Sequence, residues 1–270
     1  MNIQSLGYRT DLFFARFDGE VFDRGSYIVI RTPSNPTFHW GNFLLFDRPP
    51  ARGDLDRWRR LFAEEIGTPP AITHLAFGWD SATGETGDIQ PFLDAGLRLM
   101  PSVVLTTQAV HPPPKSNSEI VIRPLREDWE WAGALESQIA CRASEYTLEG
   151  YTPYKTRQML RYRQMAQAGL EEWFGAFLDN RVAGDLGVFA QDGVGRFQSV
   201  GTHSDFRRRG ICGTLVYEAA QYAFQRLGAE TLVMVADEEY HAAKIYESVG
   251  FAPAEHQIGM DWWEGQDGNG

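Results

Sequence analysis

The residues best suited to chemistry gather in "DFRRRGICGTLV", Asp205 to Val216, where three consecutive arginines stand against two glycines and a cysteine, ahead of an apolar, helix-like run. A helix start exposes unpaired backbone N–H groups and carries partial positive charge, so anions bind there. Glycines let the main chain approach a phosphate closely and take conformations closed to other residues. The strand-like "RFQSVGTH" leads into the arginines, then come Gly210 and Gly213, then the helix. That order suits an anion-binding loop; a plain solvated loop is the alternative. Two other phosphate loops do not fit. No lysine follows the glycines as in a P-loop, and Gly210-x-x-Gly213 lacks the spacing of a dinucleotide fingerprint.

Three other groups invite chemistry. Asp185, in "VAGDLGVF", is an acid inside an apolar strand. Burial there would raise its pKa toward neutrality; on an alternating strand it could equally face solvent. His203 adjoins the arginine loop and titrates in a useful range, although a lone histidine is more often structural. The segment "CRASEYTLEGYTPYKTRQ" carries Glu145, Tyr146, Glu149, Tyr151 and Tyr154, an aromatic and acidic mixture suited to a cationic or amphipathic amine, or else a surface loop.

The elements that must position these groups follow from periodicity. "EIVIRPL" alternates as a strand, and "REDWEWAGALESQIACR" places Trp131, Leu135 and Ile139 on one helical stripe. "TRQMLRYRQMAQAG" is a second helix closed by Gly169. Three strand-like runs follow from Glu172 to His203, separated by the hairpin turns "DN" and "QDGVG". After the loop, Val216, Ala220, Ala223 and Leu227 share a helical face. "TLVMVAD" is a buried strand, "EYHAAKIYESV" a helix, and "GFAPAEHQIGMDWW" extended. The order is α/β.

Ahead of these lies "HPPPKSNSE", His111 to Glu119, read as an extended, solvated linker. It predicts a division into 1–112, a linker at 113–118, and 119–270. The front segment repeats the later half of the back one in blurred form. "LFFARFDGEVFDRGSYIVIRT" and "FHWGNFLLFD" read as strands, and "GDLDRWRRLFAEEIG" as a helix with Leu55, Trp58 and Phe62 on one face. "ITHLAFGWD", "DIQPFLDAGLRLM" and "SVVLTTQ" read as strand, helix and strand. A duplicated domain fits better than an unrelated accessory one. Trp40, Trp79 and His74 belong to its core or to an interface rather than to a site.

Bulk properties exclude several classes. A net charge of −11 over 270 residues argues against general nucleic-acid binding. Cys141 and Cys212 are too few for a disulfide scaffold or a four-ligand zinc site, and no metal is expected. No basic start followed by an apolar run and no long apolar stretch suggests an export signal or membrane span. A cytoplasmic protein without membrane contact is expected.

"RRRGICG", Arg207 to Gly213, resembles the Arg/Gln-x-x-Gly-x-Gly/Ala signature of the GNAT (Gcn5-related) N-acetyltransferases, departing from it at Cys212, a small residue where Gly or Ala is usual. "AAKIYESVGF", Ala242 to Phe251, resembles that family's Ala-x-x-x-Tyr-x-x-x-Gly-Phe helix and turn. The resemblance covers about 119–263. It implies a GNAT fold, an α/β (α+β mixed sheet) arrangement, in two tandem copies if the front segment is a duplicate. It also implies acetyl-CoA as acyl donor and a small-molecule or peptide amine as acceptor, by direct attack in a ternary complex. The implied cofactor residues are Val200, Gly201, Thr202, Arg207, Arg208, Arg209, Gly210, Ile211, Cys212, Gly213 and Thr214. Val200 and Thr202 would offer backbone groups to the pantetheine arm, and the N–H groups from Arg208 to Gly213 would hold the pyrophosphate. Tyr246 stands at the family's general-acid position. Two departures matter: Gln198 stands where many relatives place a basic Glu, and Glu239 where Asn often contacts the pantetheine. Asp185 is then the candidate base. A non-catalytic acyl-CoA sensor and a structural protein are the rival readings. Acceptor identity, acyl length and oligomeric state, a homodimer included, stay open. In the front segment "DRPPARGDLDRW" replaces the loop, with two prolines removing donors and Asp54 opposing an anion.

Overall fold

Local sequence rules account for most of the elements in the computed structural model, which describes residues 1–144, 146–238 and 242–263. In chain order these are α1 (Leu6–Asp18), β1 (Glu20–Asp23), β2 (Tyr27–Arg31), β3 (Phe43–Phe46), α2 (Asp54–Glu65), β4 (His74–Trp79), α3 (Gln90–Asp94) and β5 (Arg98–Thr107). They continue with β6 (Val121–Pro124), α4 (Asp128–Ala140), α5 (Leu148–Gln167), β7 (Glu171–Leu178), β8 (Arg181–Gln191) and β9 (Val194–Thr202). The chain closes with α6 (Ile211–Arg226), β10 (Thr231–Asp237), α7 (Ala242–Glu247) and β11 (Ala252–Trp263). Two compact units result: Met1–Val104 with the described residues from 255 on, and Leu105–Ala254. The proline-rich run therefore belongs to the second unit, and most of β11 to the first.

In the first unit β1, β2 and β3 form an antiparallel meander, β4 joins β3 in parallel, and β11 joins β4 antiparallel. One face of these strands carries Phe46, Phe77 and Trp79 against Trp58 and Phe62 of α2 and Phe92 of α3. Phe46 and Trp58 stack with ring centroids 3.8 Å apart. The other face carries Ile28, Ile30, Phe43 and Leu45 against Tyr8, Leu12 and Ala15 of α1. That helix corrects the sequence reading, which takes 12–18 as strand. Tyr8, Leu12 and Ala15 recur at helical spacing, and the run of phenylalanines imitates an alternating strand. Trp79 and His74 are buried in this unit, and Trp40 is half-buried against Phe43.

The second unit repeats that order with two elements added in front. β7, β8 and β9 form an antiparallel meander, β10 pairs with β9 in parallel, and β6 flanks β7. Asp179–Asn180 and Asp192–Gly193 turn the two hairpins with positive φ (49° and 59°, 52° and 76°), the conformation that tight hairpins need. α4 buries Trp131, Ala134, Ser137 and Gln138 rather than the expected Leu135 and Ile139. A buried polar face carries no apolar period, so the stripe misread it. α5 begins at Leu148 with Thr147 as its cap and absorbs Pro153, so Tyr151 and Tyr154 are helical rather than on a loop. Among the described residues no helix is long and apolar enough to cross a membrane.

Candidate active site

β9 and β10 are in register only at Val194–Thr231, Gly195–Leu232 and Arg196–Val233. Beyond Arg196, β9 runs on to Thr202 and β10 to Asp237 without pairing with each other, so the two strands part toward their C-terminal ends. A bulge accompanies the parting. Ser199 takes φ 50°, the β8–β9 register shifts between Asp185 and Gly187, and Val200 has no partner in it. Parted parallel strands leave a slot with main-chain groups along its edge.

The chain leaves β9 through a short helical turn, Ser204–Phe206, and enters the arginine loop. His203 serves this turn: its Nδ1 accepts the Asp205 N–H (3.3 Å). Arg208 (φ 65°) and Gly210 (φ 79°, ψ 5°) lie in the left-handed region, and Gly210 is the cap residue of α6. That backbone, and the carbonyl of Lys115 only 2.5 Å from where a β-carbon of residue 210 would stand, explain the glycine. Among the described residues, no acceptor takes the N–H groups of Arg208, Arg209, Gly210, Ile211, Cys212 or Gly213. The loop carbonyls are used instead. Lys115 Nζ donates to Arg208 (2.5 Å), Asn117 Nδ2 to Arg209 (2.9 Å), and Thr214 to Gly210 through N–H (3.2 Å) and Oγ1 (2.9 Å). Bared amides at the start of a long helix, flanked by exposed Arg207, Arg208 and Arg209, fit a diphosphate. α7 packs at this point, since Ile245 Cγ2 lies 3.7 Å from where a Gly213 β-carbon would be. Its next residue, Tyr246, is buried and faces the Phe251 ring at 6.5 Å.

Asp185 is fully buried in β8, opposite Gly201 across the β8–β9 ladder. Its Oδ2 accepts from Gln138 Nε2 (2.9 Å) and Trp173 Nε1 (3.1 Å), while Oδ1 has no partner among the described residues. Loss of water raises its pKa to about 7, although the Gln138 and Trp173 hydrogen bonds and the Lys155 charge pull it down. Gln198 donates to Tyr162 Oη (2.9 Å), and Tyr162 stacks on Trp173 at 4.8 Å.

Residues 138–251 match the family model described as the Acetyltransferase (GNAT) family. This stretch is a GNAT domain. Among solved structures, a GCN5-related N-acetyltransferase from Kribbella flavida matches with a TM-score of 0.63 at 14% identity, over 96% of each chain. A functionally unknown conserved protein from Staphylococcus epidermidis matches at 0.68 and 13%, over 92% of this chain and 95% of that one. A tandem GNAT protein from the clavulanic acid biosynthesis pathway matches at 0.53 and 15%, over 94% and 87%. At such identities the likeness is one of fold, and the fold is the mixed α/β GNAT fold. No curated protein matches.

Within the GNAT domain the expected residues fall on four elements, with Asp185 on β8 and Tyr246 on α7. Gly201 lies at the end of β9 beside Val200, and Arg207 to Thr214 run into α6. Cys212 is half-buried on the first turn of α6, where burial pushes its thiol up to about 12. The Thr202 carbonyl is already shared by Cys141 Sγ (3.2 Å) and Arg207 Nε (3.3 Å). Glu145 and Glu239 lie outside the described residues. Tyr146, Tyr151 and Tyr154 do form an aromatic set, with centroids 5.8 and 5.3 Å apart in succession. The cation near its Tyr151 and Tyr154 rings, at 5.6 and 5.4 Å, is the chain's own Lys155. This buried lysine donates to Gln158 (2.6 Å), and loss of water lowers its pKa to about 8.

Gln138, Trp173 and Lys155 are the neighbours of Asp185 that sequence reasoning misses. Only the 131–134–138 spacing on α4 hints at Gln138, because a glutamine on a helix ordinarily signals solvent.

Proposed function

We propose that the second unit transfers an acetyl group from acetyl-CoA to an amine by direct attack, and that the first unit is a degenerate copy without cofactor. The observation that carries this reading is the run of unpaired amides from Arg208 to Gly213 at the mouth of parted parallel strands. Those amides and the three arginines would hold the diphosphate, and the edge of β9 at Val200 to Thr202 would meet the pantetheine arm. When bound, acetyl-CoA supplies an activated acyl carbon and a thiolate leaving group. Asp185 supplies the base. Above pH 7 it is ionised, and being fully buried it takes the acceptor's proton through an intervening water rather than by contact. Tyr246 protonates the departing sulfur from α7.

The first unit supports its own part of the reading. Gly53 caps α2 with φ 87° and ψ 1°, close to the Gly210 geometry, so the strand–loop–helix turn is kept. The Asp54 carboxylate, however, fills the anion position. It accepts from the Ala51 N–H (2.8 Å), Arg48 (2.7 Å) and Arg57 (3.4 Å).

The test is release of free thiol from acetyl-CoA with a panel of amines, from amino acids to polyamines and peptide N-termini. Amine-dependent release at a rate above background supports transfer. Tight CoA binding without release for any amine would instead make the protein a sensor.

A further inference from the structure

Residues 109–119 have no helix or strand, yet they do not hang free. Pro113 is buried, and its Cβ lies 3.0 Å from where a Gly213 β-carbon would stand. The His111 N–H donates to the Val249 carbonyl (3.0 Å), just past α7. Further on, this strap reaches the arginine loop three ways besides the Lys115 tether. Asn117 Nδ2 donates to the Arg209 carbonyl (2.9 Å), the Asn117 N–H to Thr214 Oγ1 (2.9 Å), and Arg209 pairs with Glu119 (2.7 Å). Asn117 is itself fixed, since its Oδ1 accepts from the Glu119 and Ile120 N–H groups (2.8 and 3.2 Å). Its amide can therefore present only the NH2 side to the loop.

The consequence follows from the peptide plane. In a trans peptide the carbonyl of one residue and the N–H of the next point to opposite sides; among the described residues the cis bond is elsewhere, at Pro69–Pro70. Holding the carbonyls of Arg208 and Arg209 on the strap side turns the N–H groups of Arg209 and Gly210 to the other side. The grip of Thr214 on the Gly210 carbonyl does the same for Ile211, and Asn117 steadies Thr214 in turn.

We infer that Asn117, assisted by Lys115, is a positioning residue. It clamps the loop by its carbonyls so that the amides converge on the diphosphate of acyl-CoA. The inference rests on the acyl-CoA reading above and assigns the proline-rich run a part in it.

The test uses the full chain carrying Asn117→Asp. Aspartate keeps an oxygen for the Glu119 and Ile120 N–H groups but cannot donate to Arg209. CoA binding by calorimetry should weaken about tenfold, the loss expected for one well-placed hydrogen bond. KM for acetyl-CoA should rise with it, with kcat within about twofold. S-Acetylpantetheine, which lacks the diphosphate, should be used as well as by the wild type, a result that general damage to the fold would not give. Lys115→Met, at an exposed side chain, repeats the experiment should the Asn117 variant fail to fold. Wild-type CoA affinity in the folded variant, or equal loss with both donors, overturns the inference and leaves the acyl-CoA reading intact. A wild-type chain that takes up no CoA overturns both.

Discussion

Asp185 is fully buried in β8, with one oxygen tied to Gln138 and Trp173 and the other unpaired among the described residues. Such a carboxyl costs stability when ionised. Its folded pKa of about 7 lies above the usual aspartate value of 3.8, so the folded state binds its proton more tightly than the unfolded one. Its contribution is intact below pH 4 and is lost as the pH rises through 7. The group is also the candidate base, so activity should fall as the pH drops through 7. Asp185→Asn should therefore abolish that acidic limb and lower kcat at pH 8 by about 10²-fold or more, while Tm at pH 8 does not fall. A pH–rate profile and a melting curve on the same variant check it; an unchanged limb would release Asp185 from the role. Tyr246→Phe should lower kcat with acetyl-CoA by about 10²-fold and leave CoA affinity within about twofold. Equal losses of rate and affinity would mean that the ring is only packed against Phe251.

At the level of elements, the site depends on how β7, β8 and β9 carry Trp173. Its ring lies directly over Gly187, and a β-carbon there would stand 2.5 Å from it. Gly187→Ala should cost about 1–3 kcal/mol in chemical denaturation, as overpacked cores do, and shift the Asp185-dependent limb because Trp173 moves. A variant as stable as the wild type would mean that the ring has room the structure does not show. The sequence made the loop legible because its parts are local: a strand end, left-handed glycine, helix start and tight hairpin turns follow from neighbouring residues. The surroundings of Asp185 were not legible. Gln138 and Lys155 sit on buried helix faces, where polar residues break the apolar period, and Trp173 reaches Asp185 across the sheet. α1 was hidden by "LFFARF", which alternates well enough to imitate a strand. The strap was hidden for another reason. Prolines announce a chain that cannot join helix or sheet, and say nothing of Pro113 finding a berth beside Gly213.

On the scale of the whole chain, the sequence α, three antiparallel strands, α, parallel strand, α occurs twice, from α1 to α3 and from α5 to α7. One unit ends its meander in bared amides, the other in an internal carboxylate. Burial would raise the Asp54 pKa, but Arg48, the Ala51 N–H and Arg57 together hold it below the usual value. Its stabilising contribution is therefore present above about pH 4 and lost as the pH falls further. Asp54→Ala should cost about 1–2 kcal/mol at pH 7, the range for losing a buried acceptor whose cations are partly solvated, and should leave the number of CoA molecules bound unchanged. Unfolding curves at pH 7 and pH 3 separate the two contributions; an equal loss at both would mean that the carboxylate's charge is not what matters. The claim on which all of this rests is that the amides from Arg208 to Gly213 await a diphosphate, in one unit and not the other. Titration calorimetry of the full chain with coenzyme A tests it most directly. The account predicts heat of binding at one site per chain, weakened by added pyrophosphate. No heat, or two equivalent sites, would contradict it.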